Sequence, residues 1–295
     1  MPPAKLPSTP ASTPLATTSP LGLDRRTFLL GTAAAGFLAA CGGSDAPEIS
    51  YAVVQRFPAD VFVPGEVRLP FSLADAAEFI TAGPDEIGAQ VVDVDGNAIG
   101  GRISAVRRDI TPAPYYAFRT TLDTPGVYGI MIDGGPETGA NFQVMEPDQV
   151  TIPGPGDILA GFDTPTVDEP RGVDPICTRE PECPFHAMSL TEALVLDKGV
   201  AYFVGTPAFC QTGSCTPALE TMIGIESEYA DDYQFVHAEV WTDLSATATT
   251  PAVDTLGIAF EPALFITNAD GVVVERLDGL WDATELRERL DAARA

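Results

Sequence analysis

The stretch TPAFCQTGSC (206–215) places two cysteines five positions apart, between an apolar run and a segment with helical spacing. The apolar run GVAYFVG (199–205) is typical of a buried strand. In the following segment, TPALETMIGIESEYA (216–230), Pro217 fits only in a first helical turn. The sequence therefore predicts a strand, a turn with both cysteines, and a helix with Thr216 as N-cap.

The spacing of Cys210 and Cys215 restricts how the two thiols can meet. Residues five apart in a helix have Cα atoms roughly 8 to 9 Å apart, whereas a disulfide needs about 4.4 to 6.8 Å. Gly213 permits a tight loop that folds Cys210 back over the helix N-terminus, where the helix dipole stabilises a thiolate. Redox activity, a structural disulfide and metal binding all remain open for this pair.

The chain around the cysteines has the pattern of a mixed sheet covered by helices. SLTEALVLD (189–197) is helical in character, and YQFVHAEVW (233–241) is typical of a second buried strand. The C-terminal tail predicts a strand, an Asp270-Gly271 hairpin, another strand and a helix from about Ala283. These elements predict an α/β arrangement.

Residues 157–295 resemble the thioredoxin fold. The cysteines occupy the turn after the first long strand, Pro262 stands where that family keeps a cis-proline facing them, and Gly279 separates the last strand from the last helix. The resemblance implies thiol-disulfide exchange, with Cys210 attacking and Cys215 resolving. The family motif is Cys-x2-Cys, and the Cys-x4-Cys spacing here departs from it in a way that concerns catalysis rather than fold.

Glu261 stands before Pro262, where the resemblance implies a small or β-branched neutral side chain. A carboxylate within about 6 Å of the attacking thiol disfavours its thiolate. We therefore expect Glu261 to modulate the pair, giving a slow exchanger with partner selectivity.

A second pair lies in CTREPECPFH (177–186), on a Pro-rich charged segment. Cys177, Cys183 and His186 have ligand chemistry for zinc or copper together with the first pair, and copper chaperones of the Sco family share the thioredoxin-like fold with a closer cysteine pair. His237 falls in an apolar strand, which favours a satisfied core histidine. We expect a local Cys177–Cys183 disulfide closing an exposed loop, with no metal and no cofactor.

A peroxidase is a further alternative, because some peroxiredoxins of the bacterioferritin-comigratory type pair cysteines at this offset. Their chemistry resembles Pro-x3-Thr-x2-Cys. Measured from Cys210, the position that requires Thr is Pro207. Measured from Cys215, Thr212 fits, but the position that requires Pro is Ala208. The motif fails in both registers.

Residues 49–147 have an all-β pattern. VRLPFSL (67–73) alternates apolar and polar residues as a half-buried strand does, and Pro70 indicates a sheet edge. Asp95-Gly96 predicts a hairpin. Short strands with turns at this spacing predict a sandwich.

Tyr128 follows Pro125-Gly126 and resembles the corner tyrosine of immunoglobulin-like domains. The Pro- and Gly-rich segment 146–157 is typical of a domain boundary. We therefore predict two domains, an immunoglobulin-like β-sandwich (49–147) followed by an α/β thioredoxin-like domain (148–295).

The N-terminus has the features of an export signal, which we assign to residues 1–40. Arg25 and Arg26 precede an apolar run that is too short for a membrane span, and the pattern resembles a twin-arginine signal. LAAC resembles a lipobox, which implies that Cys41 is lipidated and becomes the first residue of the mature chain. Residues 41–48 then form a short tether.

The composition limits the class of partner. The formal net charge is −26, from 16 basic and 42 acidic residues, so long-range electrostatics repel nucleic acid. Removing Cys41 leaves four of the five cysteines, an even number suited to an oxidising compartment.

Together these features predict a lipoprotein on the extracytoplasmic face of the cell membrane that exchanges disulfides with an unknown extracytoplasmic protein. It is expected to bind the membrane through its lipid and to bind no nucleic acid. The alternative from another class is a non-catalytic binding or scaffold lipoprotein whose cysteines only brace the fold. Peroxiredoxin-like or copper-chaperone activity comes third.

Overall fold

The computed structural model describes residues 50–75 and 78–294. The first part contains eight strands: β1 Ala52–Gln55, β2 Gly65–Asp75, β3 Glu78–Phe79, β4 Glu86–Val92, β5 Ala98–Arg108, β6 Tyr115–Leu122, β7 Gly126–Ile132 and β8 Ala140–Val144. The second part contains four strands and four helices: α1 Leu190–Ala193, β9 Gly199–Val204, α2 Cys215–Tyr229, β10 Tyr233–Ala238, α3 Pro251–Leu256, β11 Ala263–Thr267, β12 Val273–Asp278 and α4 Ala283–Ala293. A single 3-10 turn, Pro147–Gln149, lies between the two parts.

The first eight strands form one antiparallel sheet in the order β1-β2-β6-β5-β4-β7-β8, with β3 paired to β2. Strand β5 joins its two halves, pairing with β4 along most of its length and with β6 at its end. Phe62 forms a bridge to Val144, and its ring lies 6.3 Å from that of Phe142. The predicted all-β region and its Asp95-Gly96 hairpin are present, Gly96 with φ +83.

Tyr128 makes the contact expected of a corner tyrosine. Its hydroxyl donates to the carbonyl oxygen of Thr124 at 2.8 Å, four residues upstream, and the ring stacks on Phe142. The immunoglobulin-like assignment itself stays a prediction, since it depends on more than this corner.

Strand β2 departs from its predicted half-buried edge character. It lies between β1 and β6, and every residue from Val67 to Ala74 is buried. Pro70 is tolerated because β1 ends beside it: the Pro70 carbonyl accepts the Arg56 N–H at 3.0 Å, so the missing Pro70 N–H faces the point where the ladder stops. Arg68, on the face of β2 that was expected to be exposed, is buried because α4 of the second part covers it.

The second sheet has the order β10-β9-β11-β12, with β10 parallel to β9 and the other two pairs antiparallel. Residues on one face, including Phe203 and Leu264, share a core with α2 and α4. Those on the other face, including Tyr202 and Phe265, share a core with α1 and α3. A β-α-β crossover, a hairpin and a last helix around this sheet make the region thioredoxin-like, as predicted.

The helix boundaries correct two expectations. Helix α2 begins at Cys215 with Ser214 as N-cap, so the predicted Thr216 cap is wrong by two residues, and Pro217 is the third helical residue. Helix α1 is only four residues long, although Ser189 and Glu192 form a complete capping box.

Helix α3 was not predicted, although its sequence contains two boundary signals. Pro251 occupies the first helical position after the N-cap Thr250, and Gly257 ends the helix with a left-handed backbone.

The two parts pack together through buried polar groups. Arg68 of β2 makes a bidentate ion pair with Glu285 of α4, with both distances 2.7 Å. Gly279 lies against the first part as well: a Cβ added there would stand 2.1 Å from the Arg56 carbonyl oxygen, and its φ is +84. The described residues of 50–294 accordingly form one compact unit, and their division into two domains near residue 147 stays a prediction.

Candidate functional site

Cys210 and Cys215 lie at the carboxyl end of β9, where a turn leads into α2. Cys215 is the first residue of that helix, and Cys210 lies in the preceding turn. Gly213 has φ +67, and its N–H donates to the Cys210 carbonyl at 3.1 Å. The chain thus folds Cys210 back over the helix N-terminus, as the spacing and Gly213 predict.

Hydrogen bonds converge on the Cys210 sulfur. The Cys215 backbone N–H donates to Sγ at 3.1 Å, and the Thr212 hydroxyl lies 3.3 Å from Sγ. The Cys215 thiol, then Thr212 and the backbone N–H groups of Cys215 and Ser214, lower the pKa of Cys210 to about 5 against the opposing effect of burial. Cys210 is half-buried and Cys215 fully buried, so Cys210 is the more accessible of the two sulfurs.

Glu261 faces the buried cysteine. The Cys215 thiol donates to Glu261 Oε2 at 3.5 Å, and the Thr206 backbone N–H donates to the same oxygen at 2.7 Å. Burial raises the pKa of Glu261 to about 7. Burial also raises the pKa of Cys215, with smaller contributions from the Cys210 sulfur and the Glu261 charge. The carboxylate expected to act on Cys210 therefore hydrogen-bonds Cys215.

Pro262 follows Glu261 through a cis peptide bond and leads into β11. Its carbonyl accepts the Gly279 N–H at 2.9 Å, and the backbone carbonyl of Arg56, the residue after β1, lies against that glycine. Burial lowers the pKa of Arg56, and the Cys210 thiolate opposes this. The Arg56 guanidinium therefore contributes a positive charge that interacts with the Cys210 thiolate.

The predicted disulfides are not formed in the structure, where Cys177, Cys183, Cys210 and Cys215 are free thiols. Each predicted pair is nevertheless local: both belong to clusters whose ligand atoms lie within 4.8 Å of one another. The pairing of Cys177 with Cys183 and of Cys210 with Cys215 stays a prediction.

The second pair is buried, although the loop between its cysteines is exposed at Glu180, Pro181 and Glu182, as predicted. Cys177 and Cys183 are buried in the core beside β10, with 2% and 6% of their surface exposed. They meet His186 and His237 in one cluster, which is separate from that of Cys210, Cys215 and Glu261. The cysteines are buried because both ends of this loop pack against β10, where the Phe185 carbonyl accepts the His237 N–H at 3.0 Å.

The sequence analysis grouped His186 with all four cysteines, whereas the structure groups it with Cys177, Cys183 and His237 alone. The approach of His237 to these cysteines was not anticipated, because His237 is distant in sequence and only the fold brings it to them.

The predicted signal residues Arg25 and Arg26 and the predicted lipidation residue Cys41 lie outside the described residues. Within 50–75 and 78–294, no helix has both the length and the apolar character needed to cross a membrane.

The site and the strand order define a thioredoxin-like region with a cysteine pair at the start of its α2 helix. No protein-family model and no curated protein matches the chain. Among solved structures, it is similar to a candidate thiol:disulfide interchange protein DsbE from Chlorobium tepidum, with 16% identity over 48% of this chain and 98% of that one and a TM-score of 0.35.

The chain is also similar to a thiol:disulfide interchange protein of the thioredoxin family from Chlorobium tepidum TLS. That likeness has 16% identity over 48% of this chain and 96% of that one, with a TM-score of 0.30. The thioredoxin-like assignment rests on the strand order and connections described above.

Proposed function

We propose that the chain is a thiol-disulfide oxidoreductase acting through Cys210 and Cys215. The observation that supports this most directly is the asymmetry of the two sulfurs. The half-buried Cys210 receives the hydrogen bonds that stabilise a thiolate, whereas the buried Cys215 remains a thiol beside a carboxylate. A purely structural disulfide requires no such division.

The reaction proceeds in two exchanges. The Cys210 thiolate attacks one sulfur of a partner disulfide, forming a mixed disulfide and releasing the partner's other sulfur as a thiolate. Cys215 then loses its proton and attacks Cys210 Sγ, which releases the second partner thiolate. The partner disulfide is reduced and the Cys210–Cys215 pair is oxidised; the reverse sequence oxidises a partner dithiol.

Glu261 serves the second exchange as proton acceptor. Its Oε2 is within hydrogen-bond distance of the Cys215 thiol, and a pKa of about 7 suits it to take a proton and return it near neutral pH. The released partner thiolate accepts that proton, so the carboxylate is regenerated. Pro262 follows Glu261 and immediately precedes β11; by the resemblance to thioredoxin, a partner segment would lie there.

The first test is the reactivity of the oxidised chain toward a mild dithiol. We expect the Cys210–Cys215 bond to open readily and the reduced chain to turn over a model disulfide. The dithiol attacks the accessible Cys210 sulfur and releases Cys215, and its second thiol then displaces the stabilised Cys210 thiolate, which is a good leaving group. Thiol counting and turnover assays measure both. A bond that resists the dithiol, together with absent turnover, would support the scaffold alternative.

We further propose that the protein acts at the extracytoplasmic membrane surface, anchored by a lipid on Cys41 after twin-arginine export. The supporting pattern is Arg25-Arg26 followed by LAAC. The Cys41→Ala variant is expected to move from the detergent phase to the aqueous phase in a two-phase extraction. Continued partitioning with detergent would contradict lipidation. The partner proposed for this location is an extracytoplasmic protein with an exchangeable disulfide.

A further inference from the structure

We infer that Cys177, Cys183, His186 and His237 form a zinc-binding site, independent of the exchange site. Their four ligand atoms lie within 4.8 Å of one another. The cluster contains both histidines of the chain, and all four residues are at least nine-tenths buried. Two thiolates and two imidazoles are a ligand set typical of structural, tetrahedral zinc.

The spacing of the ligand atoms is close to that of a zinc tetrahedron. Bonds of about 2.3 Å to sulfur and about 2.0 to 2.1 Å to nitrogen give ligand-to-ligand separations of roughly 3.3 to 3.8 Å. His237 Nδ1 lies 3.3 Å from Cys183 Sγ and 3.9 Å from Cys177 Sγ. Small movements of these side chains would therefore suffice to place an ion between them.

His237 is held in the tautomer that zinc requires. Its Nε2 lies 2.8 Å from the Gly205 carbonyl oxygen, which can only accept a hydrogen bond. Nε2 therefore bears a proton, and once Nδ1 is deprotonated for coordination its lone pair faces the two sulfurs. A backbone carbonyl that orients the second nitrogen is the usual outer partner of a zinc-bound histidine.

His186 provides a separate indication of a ligand. Neither of its ring nitrogens has a hydrogen-bond partner among the described residues, although both are buried. Its ring centroid lies 4.6 Å from that of His237. An imidazole buried without partners is costly, and coordination would satisfy one nitrogen. A Cys177–Cys183 disulfide would leave His186 unsatisfied.

The surrounding contacts fix the segment that supplies three of the ligands. The Thr178 backbone N–H donates to Glu239 Oε1 at 2.6 Å, which anchors the residue after Cys177. The His237 N–H donates to the Phe185 carbonyl, which anchors the residue before His186. Because no helix or strand is present between residues 150 and 189 of the described chain, zinc would join this long segment to β10 and stabilise it.

The test uses the full-length chain, purified without a histidine tag, and reduced. We expect one zinc ion per chain by elemental analysis. Replacing zinc with Co²⁺ should give the absorption of tetrahedral cobalt with thiolate charge transfer. Cys183→Ser and His186→Ala should weaken zinc binding at least about 100-fold, the larger end of the loss seen when only an outer partner is removed.

The matched control is the Cys210→Ser/Cys215→Ser double variant, which should retain its zinc and lose disulfide exchange. Should the ligand variants misfold, the cobalt spectrum of the reduced wild-type chain decides alone. A reduced, folded wild-type chain that takes up no zinc or cobalt would overturn the inference, as would cobalt absorption that disappears in the double variant.

Discussion

In a Cys215→Ser variant, Cys210 is expected to accumulate stable mixed disulfides with its partners, whereas a Cys210→Ser variant should form none. Cys210 is the half-buried sulfur that receives the Cys215 N–H, so it attacks first. Without the Cys215 thiol, the second exchange cannot occur and the mixed disulfide persists. Non-reducing electrophoresis followed by peptide mapping measures the adducts. Adducts on Cys215 in the Cys210→Ser variant would instead reverse the assigned roles.

The pH dependence of this reaction follows from the same contacts. With a pKa of about 5, Cys210 is a thiolate throughout the neutral range, and its alkylation rate should fall only as the pH drops through about 5. At pH 7 its thiolate fraction exceeds that of an ordinary cysteine by about 30-fold. Rapid-mixing alkylation across pH measures this. A midpoint near that of a free thiol would contradict the stabilised thiolate.

Three variants separate the contributions. Cys215→Ser keeps a polar side chain beside Cys210, whereas Cys215→Ala removes the side-chain group that contributes most to lowering the Cys210 pKa and should raise the alkylation midpoint. Glu261→Gln keeps the shape of the side chain but cannot accept the Cys215 proton, so it should slow the release of the mixed disulfide and leave the first attack nearly unchanged. Slowing of both exchanges to the same extent would argue against the proposed proton transfer.

Local patterns explain why much of the thioredoxin-like region was predictable. The run 199–205 became β9 because it is apolar throughout, which suits a strand buried on both faces. Helix α4 begins at Ala283 as expected, because the preceding Asp282 accepts the Glu285 N–H at 2.7 Å as an N-cap. Such signals are contained within a few residues and need no knowledge of the tertiary fold.

The features that sequence reasoning missed are those set by distant contacts. Arg68 and Ser72 gave β2 the alternation of a half-exposed strand, yet both are buried. Arg68 meets Glu285, and Ser72 accepts a hydrogen bond from Arg56 at 3.3 Å. Likewise, the position of His237 in an apolar strand indicated a core residue. Its approach to Cys177 and Cys183 depends on how the preceding segment folds against β10.

The buried charges between the two parts make the fold sensitive to the loss of one ion-pair partner. Arg68 and Glu285 are 7% and 2% exposed, and Arg68 further donates to the carbonyl oxygens of Asp278 and Leu280 at 3.2 and 2.7 Å. The Tyr115 hydroxyl donates to the Glu285 carboxylate, and Arg119 Nη2 lies 3.7 Å from Glu285 Oε1. The Glu285 carboxylate of α4 therefore neutralises the positive charges of Arg68 on β2 and Arg119 on β6.

Glu285→Ala is expected to lower the free energy of unfolding by about 3 to 5 kcal/mol, because it leaves the Arg68 charge buried without its partner. Glu288→Ala is the control: Glu288 pairs with Arg108 at 2.6 Å but is 44% exposed, so its loss should cost about 1 kcal/mol or less. Urea unfolding followed by circular dichroism measures both. Equal losses in the two variants would show that burial of the ion pair has no special weight.

The response to acid distinguishes this charge effect from simple loss of packing. Arg68 and the Tyr115 hydroxyl hold the pKa of Glu285 at about 2 against the opposing effect of burial, compared with 4.5 for an ordinary glutamate. Since the folded pKa is the lower one, the stabilisation is complete above about pH 4.5 and is lost as the pH falls toward 2. Glu285→Ala should abolish this part of the acid dependence. A double variant in which apolar residues replace both Arg68 and Glu285 should recover much of the stability at pH 7. A double variant as unstable as Glu285→Ala would mean that shape, and not the uncompensated Arg68 charge, accounts for the loss.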